Sequence, residues 1–230
     1  PRADAIRSAM QLAERTAARL DASGARVVVL ARVGQNLGEY GLRYSHLGLA
    51  YRDAQGRWRV VHKLNDCGSA LSAVYRKGLG DFFLDDLYDY EAGFVVLAPA
   101  TQDRLLTLVR DNVRLTQLHT PAYSMVAYAW ATRYQQSNQW ALETFAMAED
   151  RGASTREGAQ RWLKAHDYAP SELHIGPLKR IGGHMTAANI AFDDHPAEKR
   201  FAGRIETVTV DSVFAWLNRS GLGGTVQTVR

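Results

Sequence analysis

The feature that most constrains the fold is a pair of apolar, β-branched segments separated by a short polar turn. Residues 44–52 read Y-S-H-L-G-L-A-Y-R, residues 56–64 read G-R-W-R-V-V-H-K-L, and D-A-Q lies between them. Such segments predict a β-hairpin with a loop of three to five residues. A turn centred on Ala54 would place His46 directly opposite His62, on one face of the sheet and with Cβ atoms about 4.5–5.5 Å apart.

Periodicity and turn residues predict the remaining elements. In the first half, we expect a helix over 3–20, a buried strand over 26–33, a short helix over 66–75, a strand over 93–98 and a helix from Thr101 to about Thr116. In the second half, we expect a helix starting at 137–140, a helix capped by Ser154, mostly loop over 168–201, a strand over 204–210 and a short helix through Trp216.

These elements predict an α+β protein with a small, largely antiparallel sheet. The sequence contains no internal repeat and no low-complexity linker. We therefore expect a single domain over 1–230, with a core at 1–150 and a loop-rich C-terminal extension at 151–230.

Composition excludes several classes of protein. The net charge is only +4, and no run of Lys and Arg is longer than a pair, which argues against nucleic-acid binding. No apolar run approaches the roughly 18 residues that a membrane span needs, so no transmembrane segment is expected. The single Cys67 excludes an internal disulfide and a Cys-rich metal cage. We expect no cofactor and no metal site, and we interpret D-D-H-P at 193–196 as a turn.

Three positions carry candidate chemistry, each with a structural alternative. The imidazoles of His46 and His62 form either a catalytic pair or two satisfied histidines of a sheet. Ser137 is either the N-cap of a helix or a nucleophile that gains from the positive end of the helix dipole and from free N–H groups. Cys67 is either a reactive thiol or, more commonly for a lone cysteine, a small buried residue.

Several strings of the sequence resemble a known family. The resemblance rests on G-L-R-Y-S-H-L-G at 41–48, A-Y-S-M-V-A-Y-A-W at 122–130, R-Y-Q-Q-S-N-Q-W-A-L-E at 133–143, A-Q-R-W-L-K-A-H-D-Y-A-P at 159–170 and D-D-H-P at 193–196. With the order of elements, they resemble circularly permuted papain-like domains, the NlpC-type and lecithin-retinol-acyltransferase-like group. More closely, they resemble a family of secreted bacterial proteins of unknown function.

The resemblance implies a set of catalytic roles. The family pattern has cysteine where this chain has Ser137, which is explained by an engineered knockout, a natural serine nucleophile or a natural loss of catalysis. By the resemblance, residue 137 attacks a carbonyl, His46 is the general base, His62 orients His46, and Tyr123 helps to hold the oxyanion. Asn138 and Gln139 are expected to line the substrate cleft or to cap the chain locally.

The implied function is that of an extracytoplasmic hydrolase or acyltransferase, of the cysteine-peptidase or amidase type, acting on an amide or ester. A peptidoglycan peptide is the leading substrate because NlpC-type relatives favour it, and other cell-wall or lipid-like small molecules are the further partners. The expected location is periplasmic or secreted, with the mature chain lacking its leader. The alternative is a catalytically inactive papain-like module that binds a peptide or lipid.

Overall fold

An antiparallel sheet built around the predicted hairpin organises the molecule. The computed structural model describes residues 2–66, 68–175 and 189–230. The sheet contains six strands in the order β4-β3-β2-β1-β5-β8, and every neighbouring pair is antiparallel. The strands are β1 (Val27–Val33), β2 (His46–Arg52), β3 (Trp58–Asn65), β4 (Ser72–Gly78), β5 (Asp89–Val96) and β8 (Gln227–Val229). A second, two-stranded sheet pairs β6 (Ser171–His174) with β7 (Arg204–Thr207).

Helices cover both faces of the six-stranded sheet. They are α1 (Ala3–Ala22), α2 (Leu79–Phe83), α3 (Pro99–Arg110), α4 (Asn112–Thr116), α5 (Ser137–Glu149), α6 (Arg156–Ala165), α7 (Ala197–Phe201) and α8 (Val210–Arg219), with a 3-10 turn at Gly38–Tyr40. This arrangement confirms the predicted α+β class and the antiparallel sheet flanked by helices.

Alternation along the strands divides the interior into two layers. On one face, Val28, Leu30, Ala50 and Val60 pack with residues of α1 and α2. On the other face, Leu47 and Leu49 pack with Trp140 and Phe145 of α5, and residues of α3 and α8 join the same cluster. Helix α5 is buried from Ser137 through Ala148, so it is the central helix of the second layer.

The hairpin is confirmed, but its register differs from the prediction by two residues. Leu49 lies opposite Val61, so His46 is not directly opposite His62. The five residues 53–57 between the strands fit the predicted loop length, but the turn is centred on Gln55 and not on Ala54, since the Asp53 N–H donates to the Arg57 carbonyl at 2.9 Å. Gly56 has a φ of 77°, a conformation that glycine adopts readily. A shift of two residues keeps every side chain on its predicted face because the side-chain period of a strand is two.

Two predicted helices in the first half are wrong in extent or type. The described residues between 66 and 75 form a turn followed by β4, which pairs with β3 along its whole length, so strand pairing overrides the local helical pattern. The helix expected from Thr101 begins at Pro99 and ends at Arg110. Asp111 then starts the separate helix α4, since its side chain accepts hydrogen bonds from the Val113 and Arg114 N–H groups.

The C-terminal region contains more regular structure than the sequence predicts. Strand β6 lies inside the segment predicted as loop, strand β8 was not predicted, and Thr155 rather than Ser154 caps α6. The strand expected over 204–210 ends at Thr207, and Thr209 caps α8. Trp216 of α8 packs against Phe145 with ring centroids 5.8 Å apart, so the extension shares the core of the first 150 residues.

Candidate functional site

The two hairpin histidines form a hydrogen-bonded pair. Nε2 of His46 lies 2.9 Å from Nδ1 of His62. Phe82 of α2 packs against both rings, with centroid distances of 5.9 and 5.2 Å. Gly48 leaves room for the pair, since a Cβ atom there would lie 2.6 Å from Cγ1 of Val60 and 3.2 Å from Cβ of His62. The predicted contact between the two imidazoles is therefore present, although the residues are diagonal neighbours.

Burial and a neighbouring buried cation both favour the neutral form of the two imidazoles. Arg32 lies opposite His46 on β1, and its guanidinium donates to the Phe82 carbonyl and to Asp85, at 2.5 Å from the carboxylate. Burial, and then the charge of Arg32, lowers the pKa of His62 to about 3. Burial, Arg32 and His62, in that order, hold the pKa of His46 well below its usual value. Proton uptake by either ring is thus disfavoured near neutral pH.

Ser137 is the first residue of α5 and not its N-cap. Trp140 N–H donates to the Gln136 carbonyl at 3.1 Å, which makes Gln136 the cap residue, and no side chain caps the helix. The interpretation of Ser137 as a capping residue is therefore wrong. Burial raises the pKa of the Tyr123 phenol, and a hydrogen bond with the Ser137 side chain opposes that rise. The Tyr123 and Ser137 side chains are thus adjacent.

The amides that follow Ser137 bind main-chain groups. Oδ1 of Asn138 accepts from the Leu47 N–H at 3.0 Å, and Nδ2 donates to the Ser45 carbonyl at 3.3 Å. Nε2 of Gln139 donates to the Tyr128 and Ala129 carbonyls at 3.1 and 3.3 Å. Both residues are buried, so the structure places them inside the protein at the start of α5.

The serine and the imidazoles belong to different layers of the molecule. Leu47 packs on the α5 layer, so its neighbour His46 points to the α2 layer. No hydrogen bond joins the Ser137 hydroxyl to either imidazole among the described residues. The first turn of α5 nevertheless reaches the strand at His46, because the Asn138 amide binds the residues on both sides of that histidine.

A buried polar network, which sequence reasoning missed, holds the loop that leads to Ser137. Nζ of Lys63 donates to the Thr120 carbonyl and to Oε1 of Gln135, both at 2.8 Å. Nε2 of Gln135 donates to Glu143 at 2.6 Å, and Glu143 pairs with Arg156 at 2.7 Å. Burial, and then the charge of Arg156, lowers the pKa of Lys63 to about 7. The available signal was that alternation places Lys63 on the same strand face as the apolar Val61.

The D-D-H-P segment and Cys67 are the remaining candidates from the sequence. D-D-H-P at 193–196 is a turn, as predicted, and Asp194 accepts from the Tyr128 N–H at 2.8 Å and contacts Nδ1 of His195 at 2.9 Å. Cys67 lies outside the described residues. Within the described ranges, no group of three His, Cys, Asp or Glu side chains is arranged to hold a metal ion. Nor does any helix of those ranges have the length and apolarity needed to cross a membrane.

The fold and site define a class: an α+β protein in which the start of a buried helix binds the main chain beside a histidine pair on an antiparallel hairpin. The chain belongs to the family described as an uncharacterized protein conserved in bacteria (DUF2145), whose pattern matches residues 19–217. No curated protein matched the chain. No solved structure matched it either.

Proposed function

We propose that the protein is a papain-like hydrolase or acyltransferase that attacks an amide or ester through the side chain at position 137. The observation that supports this function best is the contact of the Asn138 amide with Ser45 and Leu47, which brings the start of α5 to His46. The order of elements, with the histidine hairpin before the nucleophile helix, is that of the permuted papain-like group. The fold assignment to that group is part of the proposal.

The chemistry follows from the groups at this junction. In the proposed reaction the Ser137 oxygen attacks the carbonyl carbon. Because the His46 ring points to the α2 layer, His46 accepts the hydroxyl proton through one bridging water molecule and later donates a proton to the leaving group. His62 holds the His46 ring through the 2.9 Å hydrogen bond. The Tyr123 hydroxyl and the free N–H groups of the first turn of α5 stabilise the oxyanion. Water or an acyl acceptor then releases the product from the acyl-enzyme.

Burial of the imidazoles and the charge of Arg32 both lower the expected rate of turnover. The imidazolium formed in this reaction would lie beside a buried guanidinium, which disfavours it. A serine hydroxyl is also far less acidic than a thiol, so it supplies no anion that would stabilise the imidazolium before attack occurs. We therefore propose slow turnover with serine and faster turnover with cysteine at position 137.

The substrate and location extend the proposal by analogy with the papain-like group. A peptidoglycan peptide is the proposed substrate, and the periplasm or the cell exterior is the proposed location. A cell-wall or lipid-like ester is compatible with the same chemistry. The substrate class is proposed by analogy with proteins of similar fold.

Covalent labelling tests the proposal. Cys67 is the only thiol in the sequence, so Cys67→Ser provides a background in which Ser137→Cys introduces a single thiol. We expect a fluorophosphonate to label the Cys67→Ser protein at Ser137, and iodoacetamide to label the Ser137→Cys variant. His46→Ala is the matched control and should abolish the fluorophosphonate reaction and slow the alkylation. Absence of both labels in folded protein would contradict the proposal.

A second candidate function is a catalytically inactive module that binds a peptide or lipid. Two observations on the described residues favour it. No hydrogen bond joins Ser137 to either imidazole, and the pKa values of both rings are lowered. Under this function Ser137→Ala leaves ligand binding intact. Since Ser137 is not the N-cap, the same change should cost less than the roughly 1 kcal/mol of a lost cap.

A further inference from the structure

We infer that Asn138 is a positioning residue that sets the distance between His46 and the nucleophile at position 137. This inference rests on the proposed function. It assigns to Asn138 a role inside the protein, in place of direct contact with substrate.

The hydrogen bonds of Asn138 leave no polar atom of its amide without a protein partner. Oδ1 accepts from the Leu47 N–H and Nδ2 donates to the Ser45 carbonyl, at 3.0 and 3.3 Å. The residue is 6% exposed. A buried amide whose two ends bind the main chain on either side of one histidine fixes the strand at that histidine.

The site of these bonds is an interruption in the sheet. Strands β2 and β3 pair from Leu49–Val61 to Arg52–Trp58, although β2 begins at His46 and β3 continues to Asn65. Beyond the last pair, the Leu47 N–H has no ladder partner on β3, and the Asn138 oxygen accepts its hydrogen bond instead. The side chain thus replaces a strand residue at the place where the two strands separate.

This replacement connects the two layers of the molecule. Asn138 is the second residue of α5, adjacent to Ser137, whereas His46 points to the layer of α2. An amide hydrogen bond is directional and short, so the first turn of α5 cannot slide along the strand without losing both contacts. The separation between the nucleophile and the imidazole is therefore set mainly by Asn138.

The test follows a thiol at position 137 in the Cys67→Ser, Ser137→Cys protein. The rate of iodoacetamide alkylation is measured against pH, since it reports the thiolate fraction. A thiol coupled to His46 should react with a midpoint below the value of about 8.5 for a free thiol. We expect Asn138→Leu, which has a similar size and no hydrogen-bonding group, to raise the midpoint by about one pH unit, a tenfold loss of thiolate at fixed pH.

A matched control separates positioning from stability. Gln102 of α3 is another buried amide that bridges the main chain, since its Oε1 accepts from the Arg26 N–H and its Nε2 donates to the Leu97 carbonyl. Gln102→Met should lower the melting temperature by a similar amount and leave the alkylation midpoint unchanged. If Asn138→Leu does not fold, Asn138→Ala, which removes both contacts and adds no charge, is judged by the same criterion.

The outcomes distinguish this inference from the proposed function. A lowered midpoint in the parent that rises in the Asn138 variant but not in the Gln102 variant supports both. A lowered midpoint that the Asn138 variant leaves in place overturns the positioning role alone. An ordinary midpoint in the parent overturns both, because there is then no coupling for Asn138 to set.

Discussion

The buried ammonium of Lys63 should make the stability of the protein depend on pH in alkaline solution. Lys63 is 0% exposed, and burial together with Arg156 lowers its pKa from 10.5 to about 7. The unfolded chain therefore holds this proton up to about pH 10.5, whereas the folded protein releases it near pH 7. Between these values the unfolded state binds more protons, so the free energy of unfolding rises with pH.

The magnitude follows from the separation of the two pKa values. One pKa unit corresponds to about 1.36 kcal/mol, so a change from pH 7 to pH 9.5 adds about 3 kcal/mol to the free energy of unfolding. Over the full difference of about 3.5 units the gain is about 5 kcal/mol. Below pH 7 the proton is bound in both states, and this contribution becomes constant.

Urea unfolding of the unmodified protein and of Lys63→Met measures this contribution. All other titrating groups, including Glu143, Arg156 and His119 of the same buried region, are present in both proteins. The difference between the two unfolding free energies should therefore change by about 3 kcal/mol from pH 7 to pH 9.5. Lys164→Met, at an exposed lysine, should give a constant difference. A Lys63→Met difference that stays constant within about 0.5 kcal/mol would refute the reasoning.

Three further predictions concern the hairpin and the buried network. The pKa of His62 is about 3 in the folded protein and 6.5 ordinarily, so its stabilising contribution is present above pH 6.5 and is lost as pH falls towards 3. In urea unfolding, His62→Gln should therefore reduce the dependence of the unfolding free energy on pH between 6.5 and 3. Glu143→Gln should destabilise the protein by about 3–5 kcal/mol in urea unfolding, because it leaves the buried Arg156 without its ion pair, and a loss under 1 kcal/mol would argue against this view. Gly48→Ala should cost about 1–3 kcal/mol because the new methyl meets a crowded strand, whereas Gly78→Ala, with no atom within 4 Å of its Cβ position, is the control; equal melting temperatures would contradict the argument.

The local pattern of the sequence was sufficient for the elements that depend on nearby residues. The hairpin, its antiparallel pairing and the common face of His46 and His62 follow from alternation, and they survive a shift of two residues in register. The start of a helix near Ser137 follows in the same way. The local pattern failed at β4, which was predicted as a helix, because pairing with β3 along a sheet edge is not visible in a short window.

Only the tertiary structure decided what surrounds the candidate site. Asn138 binds a residue 91 positions earlier in the chain, and Lys63 binds Gln135 across 72 positions. Neither contact leaves a periodic signal, since each depends on how the layers close over the sheet. The pairing of β1 with β2 places Arg32 beside the two imidazoles, and burial together with this charge lowers their pKa values. Sequence alone determines which way a side chain leaves its strand, whereas burial and long-range packing determine which groups meet there and in which charge state.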